Sequence, residues 1–244
     1  MTTLLKLILS FTLSFSTLAA DVDTILDKVD ELFRSESSHG NMKMMIKTPH
    51  WERTLVMEMW TKGMDYTFVV IKSPRKDKGV TTLKRVNEMW NYFPKINKVI
   101  KIPPSMMMGS WMGSDLTNDD LVKESSLKKD YNSKLEDKGE NHFITLTPKK
   151  NTISVWGKIE VVVSKSTLLP IKQTFYDEKN IAVRDMIFKD VKKLGGKTIP
   201  TVMEIIPLTE EKKGNITTMI YQDMKFNVKV NDSVFTRRNL QKRR

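Results

Sequence analysis

The sequence predicts a mainly β protein with a few flanking helices, built on one strongly curved antiparallel sheet. Short segments of alternating or β-branched residues recur along almost the whole chain, and turns rich in Gly, Pro, Asn and Lys separate them at short intervals. Only one segment, near the N-terminus, has clear helical spacing of its apolar residues. The short turns indicate an antiparallel meander, in a sheet that is either open or closed.

The first twenty residues have the features of a secretory signal. Residues 1–6 carry one positive charge, residues 7–15 are apolar apart from Ser and Thr, and Ala19-Ala20 precedes Asp21. This pattern predicts cleavage after Ala20. The apolar run is shorter than the ~20 residues that span a bilayer. We expect residues 21–244 to form a single exported domain in a periplasm, without disulfides or a lipidated Cys, since the chain has no Cys.

The mature chain begins with one amphipathic helix, predicted over residues 23–37, with Asp23 as a plausible N-cap. Six strand segments follow, then a Met-rich loop and a helical turn at residues 114–121, and then seven more strand segments. The predicted strands are residues 42–47, 53–62, 66–73, 79–84, 88–93, 98–102, 133–137, 142–148, 154–164, 170–177, 182–194, 198–207 and 215–228.

The Met-rich loop, residues 105–112, contains four Met and one Trp among Gly and Ser. Loops are normally polar, whereas Met is a flexible side chain that adapts to apolar ligands of variable shape. The loop therefore predicts a lipid-like ligand. Because Gly109 and Gly113 flank its second half, we expect the loop to contribute little to the core.

Several neighbouring strands also carry unusually bulky side chains. Tightly packed β cores favour Val, Ile and Leu, and Met fills irregular space, so these residues predict a roomy interior. The alternative is that each of them is ordinary core. The candidate ligand-binding residues are Met44, Met57, Met59, Trp60, Met89, Trp90, Tyr92, Met106, Met107, Met108, Trp111 and Met112.

Catalytic patterns are nearly absent from the sequence. The three His residues are isolated and there is no Cys, so neither a zinc site nor a thiol nucleophile is predicted. Ser110 lacks the Gly residues two positions before and after it that a nucleophile elbow requires. Asp119 and Asp120 could act as acid and base, but their place at a helix start predicts a capping role. We therefore expect a non-enzymatic protein without cofactor or metal.

The charge of the chain predicts anionic partners. The formal net charge is +12, or +11 without Lys6 of the signal, and such a field attracts nucleic acid, phospholipid headgroups or acidic proteins. Nucleic acid is disfavoured because the chain is exported and has no nucleic-acid-binding module. An anionic membrane surface is the preferred partner. The basic cluster at residues 237–244 is expected to be a solvated tail.

Three segments, residues 88–94, Pro103-Pro104 and residues 107–121, together resemble the outer-membrane lipoprotein-sorting family of LolA/LolB-like proteins. The similarity is greatest to the branch that accompanies RND-type exporters, and weaker matches at residues 176–177, 199–201 and 234–240 extend it over the mature chain. The resemblance implies an incomplete antiparallel β-barrel covered by a helical lid. It also implies an apolar cavity for lipid or lipoprotein acyl chains, and a periplasmic carrier or chaperone that acts with an RND-type permease.

This chain departs from the classical carriers in its many Met residues, its basic charge and its longer C-terminal half, so its cargo stays open. The sequence is also compatible with two other functions, a lipid-sensing regulatory module of the same fold and a glycan-binding β protein. A glycan-binding protein would stack sugars on Trp60, Trp90, Trp111 and Trp156 in an open groove. The same Trp residues in a deep cavity would favour lipid.

Overall fold

The computed structural model describes residues 21–33, 35–122, 127–150, 152 and 154–242, so the predicted signal peptide lies outside the described residues. No helix in this part of the chain is long and apolar enough to cross a membrane. The helices are α1 (Val22–Asp30), α2 (Asn118–Val122), α3 (Leu127–Asp130) and α4 (Arg237–Leu240). The strands are β1 (Ser37–Lys47), β2 (Glu52–Lys62), β3 (Tyr66–Ser73), β4 (Thr81–Arg85), β5 (Glu88–Phe93), β6 (Lys98–Lys101), β7 (Tyr131–Lys138), β8 (Asn141–Pro148), β9 (Lys158–Ser164), β10 (Pro170–Tyr176), β11 (Ala182–Leu194), β12 (Lys197–Pro207) and β13 (Ile216–Phe226).

These thirteen strands form one antiparallel sheet in the order β6-β5-β4-β3-β2-β1-β13-β12-β11-β10-β9-β8-β7. Two meanders, β1 to β6 and β7 to β13, are joined where β1 pairs with β13. The edge strands β6 and β7 do not pair with each other, so the barrel is open and a closed one is excluded. The predicted mainly β class with a curved, incomplete barrel is confirmed.

The connection from β6 to β7 runs from one edge of the sheet to the other. We call its described residues, 102–122 and 127–130, the lid. The backbone N–H of Asp115 donates to Thr217 Oγ1 on β13 at 2.9 Å, and the backbone N–H of Leu127 donates to Oδ1 of Asp30, the last residue of α1, at 3.1 Å. The lid is thereby fixed both to the middle of the sheet and to the N-terminal helix.

Successive side chains of a strand point to opposite faces of its sheet, and each face has its own apolar core. The inner face packs with α1 and the lid in the main core, which includes Ile25, Leu26 and Met44. The other face, which we call the outer face, carries a smaller cluster. This outer cluster consists of Phe68, Val70, Leu83, Trp90, Tyr92, Phe235 and Leu240.

The C-terminal segment belongs to the outer cluster, which corrects the expectation of a solvated tail. Leu240 is fully buried, and its carbonyl accepts a hydrogen bond from Thr81 Oγ1 at 3.0 Å. Arg237 and Arg238 are exposed. Leu240 therefore packs on the sheet, while Arg237 and Arg238 remain in solvent.

Candidate ligand cavity

A cavity of about 260 Å³ lies between the inner face of the sheet, α1 and the lid. Both meanders contribute to its wall, from β1, β2 and β3 on one side and from β9 to β13 on the other. Among the described residues, seven of the chain's sixteen methionines line the cavity. These are Met42, Met57, Met59, Met64, Met186, Met203 and Met219.

The strand pattern brings these methionines together. Met57 and Met59 are two residues apart on β2 and so share the inner face. Met203 on β12 lies directly opposite Met219 on β13. Because the Met side chain is unbranched and has several rotatable bonds, such a wall can rearrange around apolar ligands of different shape.

Three of the predicted site residues line the cavity: Met57, Met59 and Trp111. Trp111 is only 2 % exposed, and its Nε1–H donates to Thr82 Oγ1 at 3.2 Å. The polar atom of the indole is thus satisfied while the ring forms part of the cavity wall. This burial corrects the expectation that the loop contributes little to the core.

The other methionines among the predicted site residues lie elsewhere. Met44 and Met89 are fully buried in the main core and do not line the cavity. Met107 and Met112 are partly buried against that core. Met106 and Met108 lie at the surface.

Trp60, Trp90 and Tyr92 lie on the outer face. Trp90 and Tyr92 belong to the outer cluster, which Trp60 packs against, and Trp60 stacks on His39 with 4.8 Å between the ring centroids. Trp60 directly follows Met59 in the chain, so the alternation of β2 places the two side chains on opposite faces. The structure therefore does not bring these three aromatic residues to the cavity.

The apolar wall contains one buried ion pair. Arg184 on β11 binds Asp120 of the lid through two hydrogen bonds, Nη1 to Oδ2 at 2.6 Å and Nη2 to Oδ1 at 2.9 Å. The guanidinium carbon lies 4.6 Å from the ring centroid of Trp156 and 4.3 Å from that of Phe175. Two-point contact and aromatic faces are the environment that favours Arg over Lys.

Asp120 also caps helix α2. Its Oδ2 accepts from the backbone N–H of Thr117 at 2.7 Å, and its own N–H donates to Thr117 Oγ1 at 3.1 Å. This reciprocal arrangement is a capping box. Burial alone would raise the pKa of Asp120, but Arg184 and the hydrogen bonds from Thr117 outweigh it and hold the pKa below its ordinary value. The pair is therefore charged at neutral pH.

Sequence reasoning found the capping role of Asp120 but missed Arg184. The alternation of β11 is a signal for Arg184, because Arg184 lies two residues before the inward-facing Met186 and so faces the same side of the sheet. A buried Arg is rare unless it is paired. Among the residues that the structure describes, no group of three or more His, Asp or Glu is placed to hold a metal ion. The arrangement suits non-covalent binding of an apolar ligand beside one polar pair.

Residues 63–242 match the model of a protein family whose description reads "Uncharacterized protein". The chain belongs to that family. It is also similar to a crystal structure of a DUF1329 family protein from Desulfovibrio piger, with 23% identity and a TM-score of 0.79 over 89% of this chain and 97% of that one. No curated protein matches the chain.

Two further crystal structures share the fold. A LolA superfamily protein from Nitrosomonas europaea is 20% identical, with a TM-score of 0.74 over 91% of this chain and 100% of that one. A structure described as an outer membrane lipoprotein-sorting protein domain, from Vibrio parahaemolyticus, is 20% identical, with a TM-score of 0.72 over 84% of this chain and 92% of that one. The LolA-like fold that the sequence motifs predicted is thereby confirmed.

Proposed function

We propose that this protein is a periplasmic carrier that binds acyl chains of lipids or lipoproteins in the Met-lined cavity. The observation that carries the proposal is the cavity itself, which is apolar, lies under a lid and has seven methionines in its wall. The shared fold with a lipoprotein-sorting protein domain supports it. Met57, Met59 and Trp111 are the sequence-predicted residues that would touch the ligand.

The size of the cavity suits a carrier that must also release its cargo. At about 30 Å³ per water-sized group, the cavity of about 260 Å³ holds roughly nine methylenes. At ~0.8 kcal/mol per buried CH₂, that segment contributes about 7 kcal/mol, from which the cost of immobilising the ligand is subtracted. The net free energy of binding is smaller than this contribution, so the cavity can capture a chain from water without holding it permanently.

The positions of Trp60, Trp90, Trp111 and Trp156, the four candidates for sugar stacking, favour lipid over glycan. Trp111 and Trp156 line the cavity, Trp90 is buried in the outer cluster, and Trp60 is partly buried beside it. None of these four side chains is exposed. An open stacking platform for sugars would require exposed aromatic rings, so the arrangement supports the carrier function.

The cavity test compares two Met→Trp variants on neighbouring strands. Met59 lines the cavity, whereas Met45 on β1 is 40 % exposed. Delipidated protein is loaded with an apolar fluorescent dye and titrated with diacyl phospholipid or an acylated lipopeptide. We expect both ligands to displace the dye from wild type and Met45→Trp, and Met59→Trp to bind at least fivefold more weakly because the larger ring fills the cavity.

The proposal fails if neither ligand displaces the dye from wild type. It also fails if folded Met59→Trp binds like Met45→Trp, since the ligand would then lie elsewhere. A change in Trp fluorescence on binding gives a second readout, because Trp111 and Trp156 line the cavity.

Export and the membrane partner belong to the same proposal. Residues 1–20 would direct the chain to the periplasm, and an RND-type permease would exchange cargo with it. N-terminal sequencing of the exported protein is expected to begin at Asp21. Intact Met1 in the membrane fraction would contradict cleavage of a signal peptide. Failure to co-purify, after cross-linking, with an RND-type permease encoded beside this protein would contradict the partnership.

A further inference from the structure

Exposed apolar side chains are concentrated in one short segment. In the described part of the chain, twelve large hydrophobic residues are exposed, and five of them lie within residues 96–108. This segment runs from the turn before β6 into the first part of the lid. The five residues are Ile96, Val99, Ile100, Met106 and Met108, with exposures of 58, 36, 41, 54 and 50 %.

The same segment is basic. Lys95, Lys98 and Lys101 are all exposed, and residues 95–108 contain no acidic residue. Lys101 pairs with Glu88 on β5, whereas no ion pair joins Lys95 or Lys98 to any acid in the part of the chain that the structure describes. Two uncompensated lysines therefore accompany the exposed apolar side chains.

This segment is also bonded to the part of the lid that closes the cavity. The carbonyl of Met106 accepts from Asn118 Nδ2 at 3.0 Å, and the carbonyl of Met107 accepts from the backbone N–H of Asp119 at 2.8 Å. The next two residues, Asp120 and Leu121, line the cavity. Whatever binds the exposed segment therefore lies next to the cover of the cavity.

We propose that residues 95–108 form a docking surface for an anionic lipid bilayer. Exposed apolar side chains that enter the headgroup region, together with lysines that pair with lipid phosphate, are the chemistry of interfacial membrane binding. Addition of a partner's strand to β6 is disfavoured because this edge strand has four residues with Lys at each end, and edge lysines oppose strand addition. The inference deepens the proposed carrier function by naming the surface that would exchange lipid with a membrane.

The test is co-sedimentation with vesicles of phosphatidylglycerol and phosphatidylcholine, and with vesicles of phosphatidylcholine alone. The apolar variant is Met106→Ser/Met108→Ser, and its matched control is Ile181→Ser/Leu208→Ser, which removes two exposed residues elsewhere (57 and 43 % exposed). The charge variant is Lys95→Gln/Lys98→Gln, with Lys179→Gln/Lys193→Gln as its control of equal charge change.

We expect wild type to bind the anionic vesicles and to be released by salt. The charge variant should bind about 30-fold more weakly, from ~1 kcal/mol per lysine, and the apolar variant about tenfold more weakly. Both controls should stay within about twofold of wild type. Equal binding of each variant and its control, equal binding to phosphatidylcholine alone, or no vesicle binding would overturn the inference.

Dye displacement without vesicles separates this inference from the carrier proposal. The docking variants should retain wild-type displacement, since neither changes the cavity wall. If acyl ligands do not displace the dye but the vesicle results hold, only the carrier proposal fails. If displacement holds but the vesicle results do not, only the docking surface fails.

Discussion

At the scale of single residues, Arg184 and Asp120 form a buried ion pair that joins β11 to the lid. Their side chains are 6 and 12 % exposed, and each charge has its partner in the other. Removing one member of a buried ion pair leaves the other charge uncompensated, which costs more than the pair itself contributes. Arg184 would then lie between two aromatic rings without a counter-ion.

We therefore expect Asp120→Asn to lower the free energy of unfolding by about 3–5 kcal/mol at neutral pH. Urea denaturation measures this change. Asp232→Asn is the control, because its exposed pair with Lys62 should contribute less than about 1 kcal/mol. Equal stabilities of the two variants would contradict the role of the buried pair.

The same pair predicts the pH dependence of stability. The pKa of Asp120 is lower in the folded protein than its ordinary value, so its contribution is fully present above the unfolded-state pKa of about 3.9. It is lost as the pH falls through the lower folded-state pKa. Wild type should thus lose more stability below about pH 4 than Asp120→Asn does, and parallel stability curves in acid would contradict this.

The residue scale also shows what sequence reasoning could and could not assign. Met57 and Met59 were identified from their bulk and their strand, and both line the cavity. Trp60 is also a large apolar residue of this strand and is predicted with them, but the alternation of β2 turns it to the other face. The size of an apolar side chain predicts that it is buried, whereas the alternation of the strand determines the face of the sheet on which it is buried.

At the scale of elements, the Met-rich loop divides its apolar residues between two environments. Trp111 is buried in the main core, while Met106 and Met108 are half exposed. An irregular segment has no period of 2 or 3.6 from which burial can be read, so the sequence could not separate these residues. The loop both fills the core and presents apolar surface.

We expect Trp111→Ala to lower the free energy of unfolding by about 3–5 kcal/mol, because a large buried ring is removed. Met106→Ser/Met108→Ser should change it by less than about 0.5 kcal/mol, as is usual for surface positions. Urea denaturation of both variants gives the comparison. A small effect at Trp111, or a large one at the two methionines, would contradict the division of the loop.

Each of the thirteen strands had a counterpart in the predicted segments, because alternation and turn residues are local signals. The first half of β1 was missed, and helix α1 was predicted to extend to Ser37, although it ends at Asp30. Gly40 explains part of this difference. A Cβ at Gly40 would lie 2.0 Å from the carbonyl oxygen of Asp223 on β13, so Gly permits the close contact of β1 with β13, although Gly is a residue that strands disfavour.

At the scale of the whole molecule, the pairing of β1 with β13 joins the beginning of the chain to its end. That pairing makes one cavity out of two meanders, since each of them supplies part of the wall. Strand order beyond neighbouring hairpins is a long-range property that local patterns do not encode. The resemblance to LolA-like proteins, and not the periodicity, predicted the incomplete barrel and its lid.

A cavity shared by two meanders predicts where an acyl ligand slows hydrogen exchange. Amides that exchange by local opening become protected where the ligand adds contacts. With saturating lipid we expect slower exchange in the lid, in β2 and β3, and in β10 to β12, all of which line the cavity. The outer-face helix α4 should be unchanged.

Hydrogen exchange followed by mass spectrometry, with and without lipid, measures this pattern. Met59→Trp serves as the control, because a partly filled cavity should show weaker protection at every one of these sites. Protection confined to one meander would place the ligand on a single wall, and protection at α4 would place it on the outer face. Either result would contradict a ligand that spans the two halves of the sheet, because residues of both meanders line the cavity.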